Sequence, residues 1–258
     1  VPAVLVGCWD LTQTRHSILR NYPILGHFRF LLEGIGAELH QYLVESNTDG
    51  RPFDRDTRSL IYRRAKGVAD KKPFGTELDV YSEGYTWLAH SITPRPVPED
   101  PVGALRVVVG GDRCTQPYSL SVLNVSAMSF GALSGSAIAA INAGARAGRF
   151  AHDTGEGGIS RYHRGPGGDL IWQIGTGYFG CRDAEGRFDP ELFAEQAVDP
   201  QVKMIELKVS QGAKPGHGGI LPAAKVTAEI AEARRVPAGR DVLSPTWHSA
   251  FSDPIEMV

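Results

Sequence analysis

Lys208 interrupts an apolar run, MIELKV, that has the length and alternation of a β-strand. A lysine there is costly to bury unless an anion or an electron-rich ring receives its charge. Gln211 and Lys214 follow in the Gly/Pro-rich stretch SQGAKPGHGG. Two cations at one strand end make a pocket for an anionic ligand, although each lysine alone reads equally well as a surface side chain snorkelling past apolar neighbours. Three more clusters set polar residues among glycines: Ser126 to Ser134 (SAMSFGALS), Thr154 to Gly158 (TGEGG) and Gln173 to Gly180 (QIGTGYFG). Glu156 on its own would be a solvated loop carboxylate. His217 is either a loop imidazole bonded to backbone or a carrier of protons to a substrate.

Residues of this kind do chemistry where strands end and loops begin, as at the C-terminal face of parallel β/α barrels. Ser119 to Ser126 reads as a strand, followed by a helix from Ser134 to Ala147 with Ser134 as its N-cap. Leu170 to Ile174, Val202 to Val209 and Asp241 to Leu243 read as further strands, and 190–197 and 223–234 as helices. We expect Ser121–Val125, Ile171–Ile174 and Met204–Val209 to be neighbouring parallel strands that bring Met128, Gln173 and Lys208 around one concave site. Strand, Gly-rich loop and helix in repetition make a parallel α/β architecture. A complete barrel takes ~250 residues, but about 138 follow Leu120. The expectation is therefore a partial (β/α)8 TIM-type barrel, its first half over residues 119–258, with an open apolar edge.

Residues 1–118 have another grammar. Apolar residues at helical spacing run from Asp10 to Glu45 in two pieces separated by Pro23, and a short helix spans 58–66. Prolines 73, 94, 96, 98 and 101 then make an extended connector. This gives a mainly helical N-terminal region. The apolar start from Val1 to Trp9 is too short to span a membrane; opening in mid-run on Val1, it reads equally as the stub of a longer segment.

The composition, 42% hydrophobic and 22% charged, is that of a globular protein with a core. A net charge of -2 and no basic block interleaved with aromatics argue against nucleic acid as a partner. Cys8, Cys114 and Cys181 are odd in number and widely spaced, which suits neither a disulfide framework nor a metal site, so no metal is expected, and Cys114 and Cys181 read as buried or unremarkable thiols. Trp172, Phe179 and Trp247 read as core.

Together the clusters resemble one family. SAMSFGALS, TGEGG, QIGTGYFG, IELKVSQGAKPGHGG, LPAAKV and SPTWH stand in the order and spacing of the FMN domain of glutamate synthases, and DLTQTRHSILRNYP, PFDRDTRSLIYRRAKG and PFGTELDVYSEGY look like bacterial single-chain relatives of those enzymes. The resemblance implies a flavin barrel that reduces 2-iminoglutarate, formed from 2-oxoglutarate and ammonia, to L-glutamate. It implies that Ser126, Ala127, Met128 and Ser129 lie along the isoalloxazine, that Gln173 bonds its pyrimidine side and that Lys208 faces its N1/O2 locus. Lys214 would take the oxo-acid carboxylate, with Gln211 and Arg234 nearby, and Glu156 would line the route of ammonia. An iron-sulfur cluster would belong to a later part of the barrel.

Two positions depart from the family pattern: His217 replaces an acidic residue and Ile220 a glutamine beside the substrate, which leaves the substrate open. Partners expected are the small-molecule substrate and an ammonia-supplying or electron-donor subunit. The expected location is the cytoplasm, with a membrane anchor upstream of residue 1 as the alternative. Rival functions are a glutamate N-methyltransferase subunit built on the same domain and a non-catalytic FMN-binding scaffold.

Overall fold

A computed structural model describes residues 2–69, 75–212 and 216–257. They fall into two compact units, Val1–Thr93 and Pro94–Val258.

The first unit is helical. It comprises α1 (Pro2–Thr12), α2 (Ser17–Asn21), α3 (Gly26–Gly34), α4 (Gly36–Leu39) with a wider turn over His40–Val44, and α5 (Arg55–Ala65). The apolar start is thus the first helix. Pro23 falls between α2 and α3, as its missing N–H and fixed φ require. Asp10, fully buried, ties the turn together: its carboxylate accepts from the Ile24 backbone N–H at 2.9 Å and lies 3.0 Å from His27 Nε2. Asp54 caps α5 by accepting from Thr57 N–H at 2.8 Å. Among the described residues, no helix is long and apolar enough to cross a membrane.

The second unit is mixed α/β. After α6 (Pro101–Ala104), β1 (Arg106–Val109) and β2 (Tyr118–Ser121) form an antiparallel pair with Arg106 opposite Ser121. The chain continues through α7 (Gly135–Gly148), β3 (His152–Asp153), α8 (Arg161–Arg164), β4 (Leu170–Ile174), α9 (Pro190–Ala197) and β5 (Val202–Leu207). It ends in β6 (Gly219–Leu221), a 3-10 turn over Ala223–Lys225, α10 (Ala228–Arg234), β7 (Val242–Ser244) and α11 (Pro254–Met257). β3, β4 and β5 make a parallel sheet in that order, with Asp153 opposite Ile171 and Gln173 opposite Glu206.

Two strand expectations need correction. The run 119–126 is not one parallel strand: its first half pairs backwards with β1, and Val125 alone adds a parallel bridge to His152, so β3 lies between it and β4. β7 lies outside the parallel sheet, paired antiparallel with β6.

The core explains the remaining elements. Every residue of β4 is buried, which suits a central strand covered on both faces. Its Leu170, Trp172 and Ile174 pack with Ile159, Tyr178 and Cys181. A second cluster joins Phe130, Ile138, Phe179, Ile230 and Val242. Ser134 Oγ accepts from Ala137 N–H and starts α7, which buries Ile138, Asn142 and Ala145 along one stripe. β5 is paired only on its β4 side among the described residues, and Ile205 and Leu207 are more than a third exposed. Trp172 and Phe179 are core, but Trp247 is not. It is 72% exposed, because the following His248 takes the inward position.

Candidate functional site

Side chains alternate along a strand, so Glu206 and Lys208 leave β5 on the same side, and Gln173 leaves β4 opposite Glu206. Lys208 lies one residue past the end of β5, yet its N–H still donates to the Ile174 carbonyl at 2.9 Å. Its ammonium donates to Glu156 Oε1 at 3.1 Å. Gln211 Nε2 donates to both oxygens of the same carboxylate, at 3.1 and 2.8 Å. Three residues more than 50 positions apart in part thus meet in one partly buried cluster at the C-terminal ends of parallel strands.

Glycine makes room for it. At Gly175 an added Cβ would come within 2.5 Å of Glu156 Oε2. Gly155 has φ +64° and lies so close to Ser129 that a Cβ would meet its backbone nitrogen at 2.8 Å. The TGEGG loop is therefore laid against the Met128–Ser129 backbone. Ser126 and Ala127 are exposed and Met128 and Ser129 half-buried. Met128 is held from two sides: its N–H donates to the Asp153 carbonyl at 3.1 Å, and its carbonyl accepts from His163 Nε2 at 3.0 Å. His163 Nδ1 accepts from the Ser160 N–H at 3.1 Å, so geometry assigns the neutral Nε2–H form, and burial holds the pKa of this imidazole down.

Gln173 is buried, and its amide donates to Glu206. Asp153, buried beside them, is raised to about 7: burial is the first cause, the neighbouring Glu206 adds to it, and the Gly155 N–H and Lys208 act against it. Arg234 lies over the Phe179 ring at 4.8 Å, with a terminal nitrogen 3.4 Å from where a Gly157 Cβ would be. Its Nε is buried with no hydrogen-bond partner among the described residues. Burial lowers its pKa while the charge of Glu156 acts the other way.

The structure therefore brings together Glu156, Lys208 and Gln211, sets Gln173 on the adjacent strand and Ser129 against Gly155, and leaves Arg234 on the Gly157 side. Lys214 lies outside the described residues. His217 and Ile220 are exposed. Of the other side chains around the site, Tyr178 and Glu206 lie within the glycine-rich clusters and His248 within SPTWH, whereas Asp153 carries no sequence signal and His163 only the S-x-x-H spacing from Ser160. Among the described residues no group of three or more His, Cys, Asp or Glu could hold a metal ion. A separate cavity of about 390 Å³ lined by Phe130, Tyr162, Arg164 and Glu229 lies elsewhere in this unit. Its arginines are already paired, Arg161 with Glu229 and Arg164 with Asp199.

Residues 107–258 match the family described as a conserved region in glutamate synthase. The glutamate synthase large subunit-like protein YerD of Bacillus subtilis is 34% identical over 300 aligned residues, covering all of this chain and 57% of that protein. A glutamate synthase large subunit-like protein of Rhizobium meliloti is 31% identical over 80% of this chain and 44% of its own length. The archaeal glutamate synthase [NADPH] of Archaeoglobus fulgidus is 41% identical over 49% of this chain and 22% of its own length. The chain spans about half the length of the first two relatives and less of the third.

Proposed function

The chain belongs to the glutamate synthase family, and from that premise we propose that it is part of an FMN-dependent oxidoreductase that reduces 2-iminoglutarate, formed from 2-oxoglutarate and ammonia, to L-glutamate. The parallel sheet would then be part of a (β/α)8 barrel over residues 119–258, with 1–118 as its N-terminal region. The observation that carries this reading is the convergence of Lys208 and Gln211 on Glu156 at the end of β5. A scaffold that only bound a partner would have no use for a cation, an amide and a carboxylate locked together beside three glycines.

The residues fit FMN by the chemistry of their donors. A flavin pyrimidine edge takes donors at its oxygens and N1 and an acceptor at N3–H; Gln173 offers both, Lys208 offers a charged donor, and the Ser126–Ser129 segment, exposed at Ser126 and Ala127, gives a surface for the ring. When bound, FMN would supply the two-electron chemistry. The chain's own residues bind and hold. Lys208 puts a positive charge where a reduced flavin gathers negative charge. Lys214 and Arg234 receive the carboxylates of the oxo acid, Gln211 keeps Glu156 oriented, and Glu156 accepts a hydrogen bond from the incoming ammonia. An ammonia-supplying or electron-donor subunit and an iron-sulfur cluster, if used, would act beyond the residues described.

The test uses the full-length protein. We expect FMN in stoichiometric amount after denaturation, and glutamate formed from 2-oxoglutarate and ammonium with a reduced dye as electron source. Absence of flavin would overturn the proposal, and N-methylglutamate formed from methylamine in preference to glutamate from ammonium would favour the N-methyltransferase-type subunit.

A further inference from the structure

Lys208 sits just past the last ladder position of β5, where a backbone normally frays unless its polar groups find other partners. Its N–H is held by the Ile174 carbonyl at 2.9 Å, and its own carbonyl is met by His248 Nε2 at 2.9 Å. His248 comes from a segment 40 residues later and is 4% exposed. Its other ring nitrogen, Nδ1, lies 3.1 Å from the Tyr178 hydroxyl, which also accepts from the Ala250 N–H at 3.1 Å.

One arrangement of protons satisfies all of these contacts. A carbonyl can only accept, so His248 Nε2 carries the proton. The Tyr178 oxygen accepts from a fixed backbone N–H, so its own proton is free to point at Nδ1. Both ring nitrogens are then satisfied in the neutral imidazole. The ring is also clamped by packing: Phe251 stacks on it at 4.8 Å, and Tyr178, 2% exposed, lies in the core around β4.

We infer that His248, braced by Tyr178, is the positioning residue for Lys208, fixing the backbone from which its ammonium reaches the candidate site. The inference rests on the proposed function for what Lys208 meets there, but the relay itself is a property of this chain. It also ties three separate sequence clusters, QIGTGYFG, ELKVSQ and SPTWH, to a single atom, the Lys208 carbonyl oxygen.

The experiment is a double-mutant cycle in the full-length flavoprotein. His248→Phe keeps the stacked ring and removes the donor. We expect it to lower the preference for reduced over oxidised flavin about tenfold, which is ~30 mV for a two-electron couple. The same change made in the Lys208→Met background should have less than a twofold effect, because the residue acts through the lysine. His248→Gln, which keeps an N–H donor, should recover most of the loss, and Tyr178→Phe should give a smaller shift of the same sign. Equal effects in both backgrounds would overturn the inference. If His248→Phe does not fold, Tyr178→Phe carries the same cycle. If no flavin is bound, the proposed function fails, and nitrogen-15 NMR of the histidine ring decides the relay alone: a bare Nδ1 and protonated Nε2 support it, and a proton on Nδ1 refutes it.

Discussion

Asp10 and Asp153 are both buried aspartates, one in the helical unit and one in the α/β unit, and their carboxyls are driven in opposite directions. Asp10 is held below the usual carboxylate range, first by the Ile24 backbone N–H and then by His27. Asp153 is pushed up to about 7 by burial and by the carboxylate of Glu206. Burial raises both carboxyls, and the donors each is given decide whether it stays charged. A carboxylate given donors is a structural lock. One packed against a second carboxylate, at the end of a strand beside Lys208, is instead pushed toward its neutral form.

The largest expected effect comes from Asp153. Burial, with the neighbouring Glu206, raises its folded pKa above the unfolded value of 3.8, so its neutral form contributes to stability and its ionisation in the fold works against it. The contribution is fully present below pH 3.8 and is lost as pH rises through about 7. Asp153→Asn keeps an acceptor for the Gly155 N–H and cannot ionise. It should be more stable than the parent above pH 7, with the gap closing toward pH 4. Hydrogen exchange of the β3–β5 amides at pH 5 and pH 8 checks this, and a gap that ignores pH would contradict it.

His152, next in the chain, should slope the other way. Burial, helped by the neighbouring His163, lowers its pKa from 6.5 to about 4. Its contribution is present above pH 6.5 and lost as pH falls through about 4, a difference of roughly 3 kcal/mol. The two adjacent residues therefore oppose each other in the parent. His152→Phe keeps a ring against His163, at 5.2 Å in the parent, and should uncover the opposite slope, with stability rising as the pH falls from 7 to 4. Denaturant titrations across that range decide it.

Neither aspartate could be weighed from the sequence, and the reason is specific. The helix α7, the helix α9 and the strand β4 were legible because each carries its own signal: the Ser134 cap, Pro190 at a helix start, and an unbroken apolar run. β3 is two residues long and both are polar, so only its sheet neighbours make it a strand. The chain from Ser119 to Ser126 has strand composition throughout, and composition does not say that it changes partner at Ser121. Placing glycine loops at strand ends put Glu156, Lys208 and Gln211 among the candidate residues, but their direct contact depends on how the loops fold and is visible only in the structure. The inward turn of His248 instead of Trp247 depends on a hydroxyl from Tyr178, 70 residues earlier.

A smaller effect tests the cation beside Asp153. Lys208→Met in the full-length protein removes a charge-assisted hydrogen bond worth on the order of 2 kcal/mol, and the proposed flavin is the partner it tests. If that interaction favours the reduced flavin, the potential should fall by roughly 40 mV, since 1.4 kcal/mol corresponds to ~30 mV. Lys208 also lowers the pKa of Asp153, so the same variant should raise the pH at which Asp153 ionises. A redox titration and a pH titration of one protein thus read two consequences of one charge, and a change in neither would detach Lys208 from the site.

The smallest effect separates the two partners of Asp10. Its folded pKa is depressed, so its contribution is present above the unfolded value near 3.8 and is lost as pH falls through the lower folded value. The acid weakening of α1–α3 should therefore begin below about pH 4, in a window where Asp153 contributes no further change. Asp10→Asn removes the negative charge that faces Ile24 N–H and His27, and should speed hydrogen exchange of the Ile24 amide at neutral pH while abolishing this acid step. His27→Ala should do less, because the backbone N–H is the leading cause of the shift and the imidazole is half exposed, with 49% of its side chain accessible. An exposed partner shares its charge with water and fixes little, whereas a backbone donor held by the turn has no other place to go. If His27→Ala loosened the Ile24 amide as much as Asp10→Asn, the imidazole and not the turn would be the lock, and the contrast between the two buried aspartates would rest on a charge pair after all.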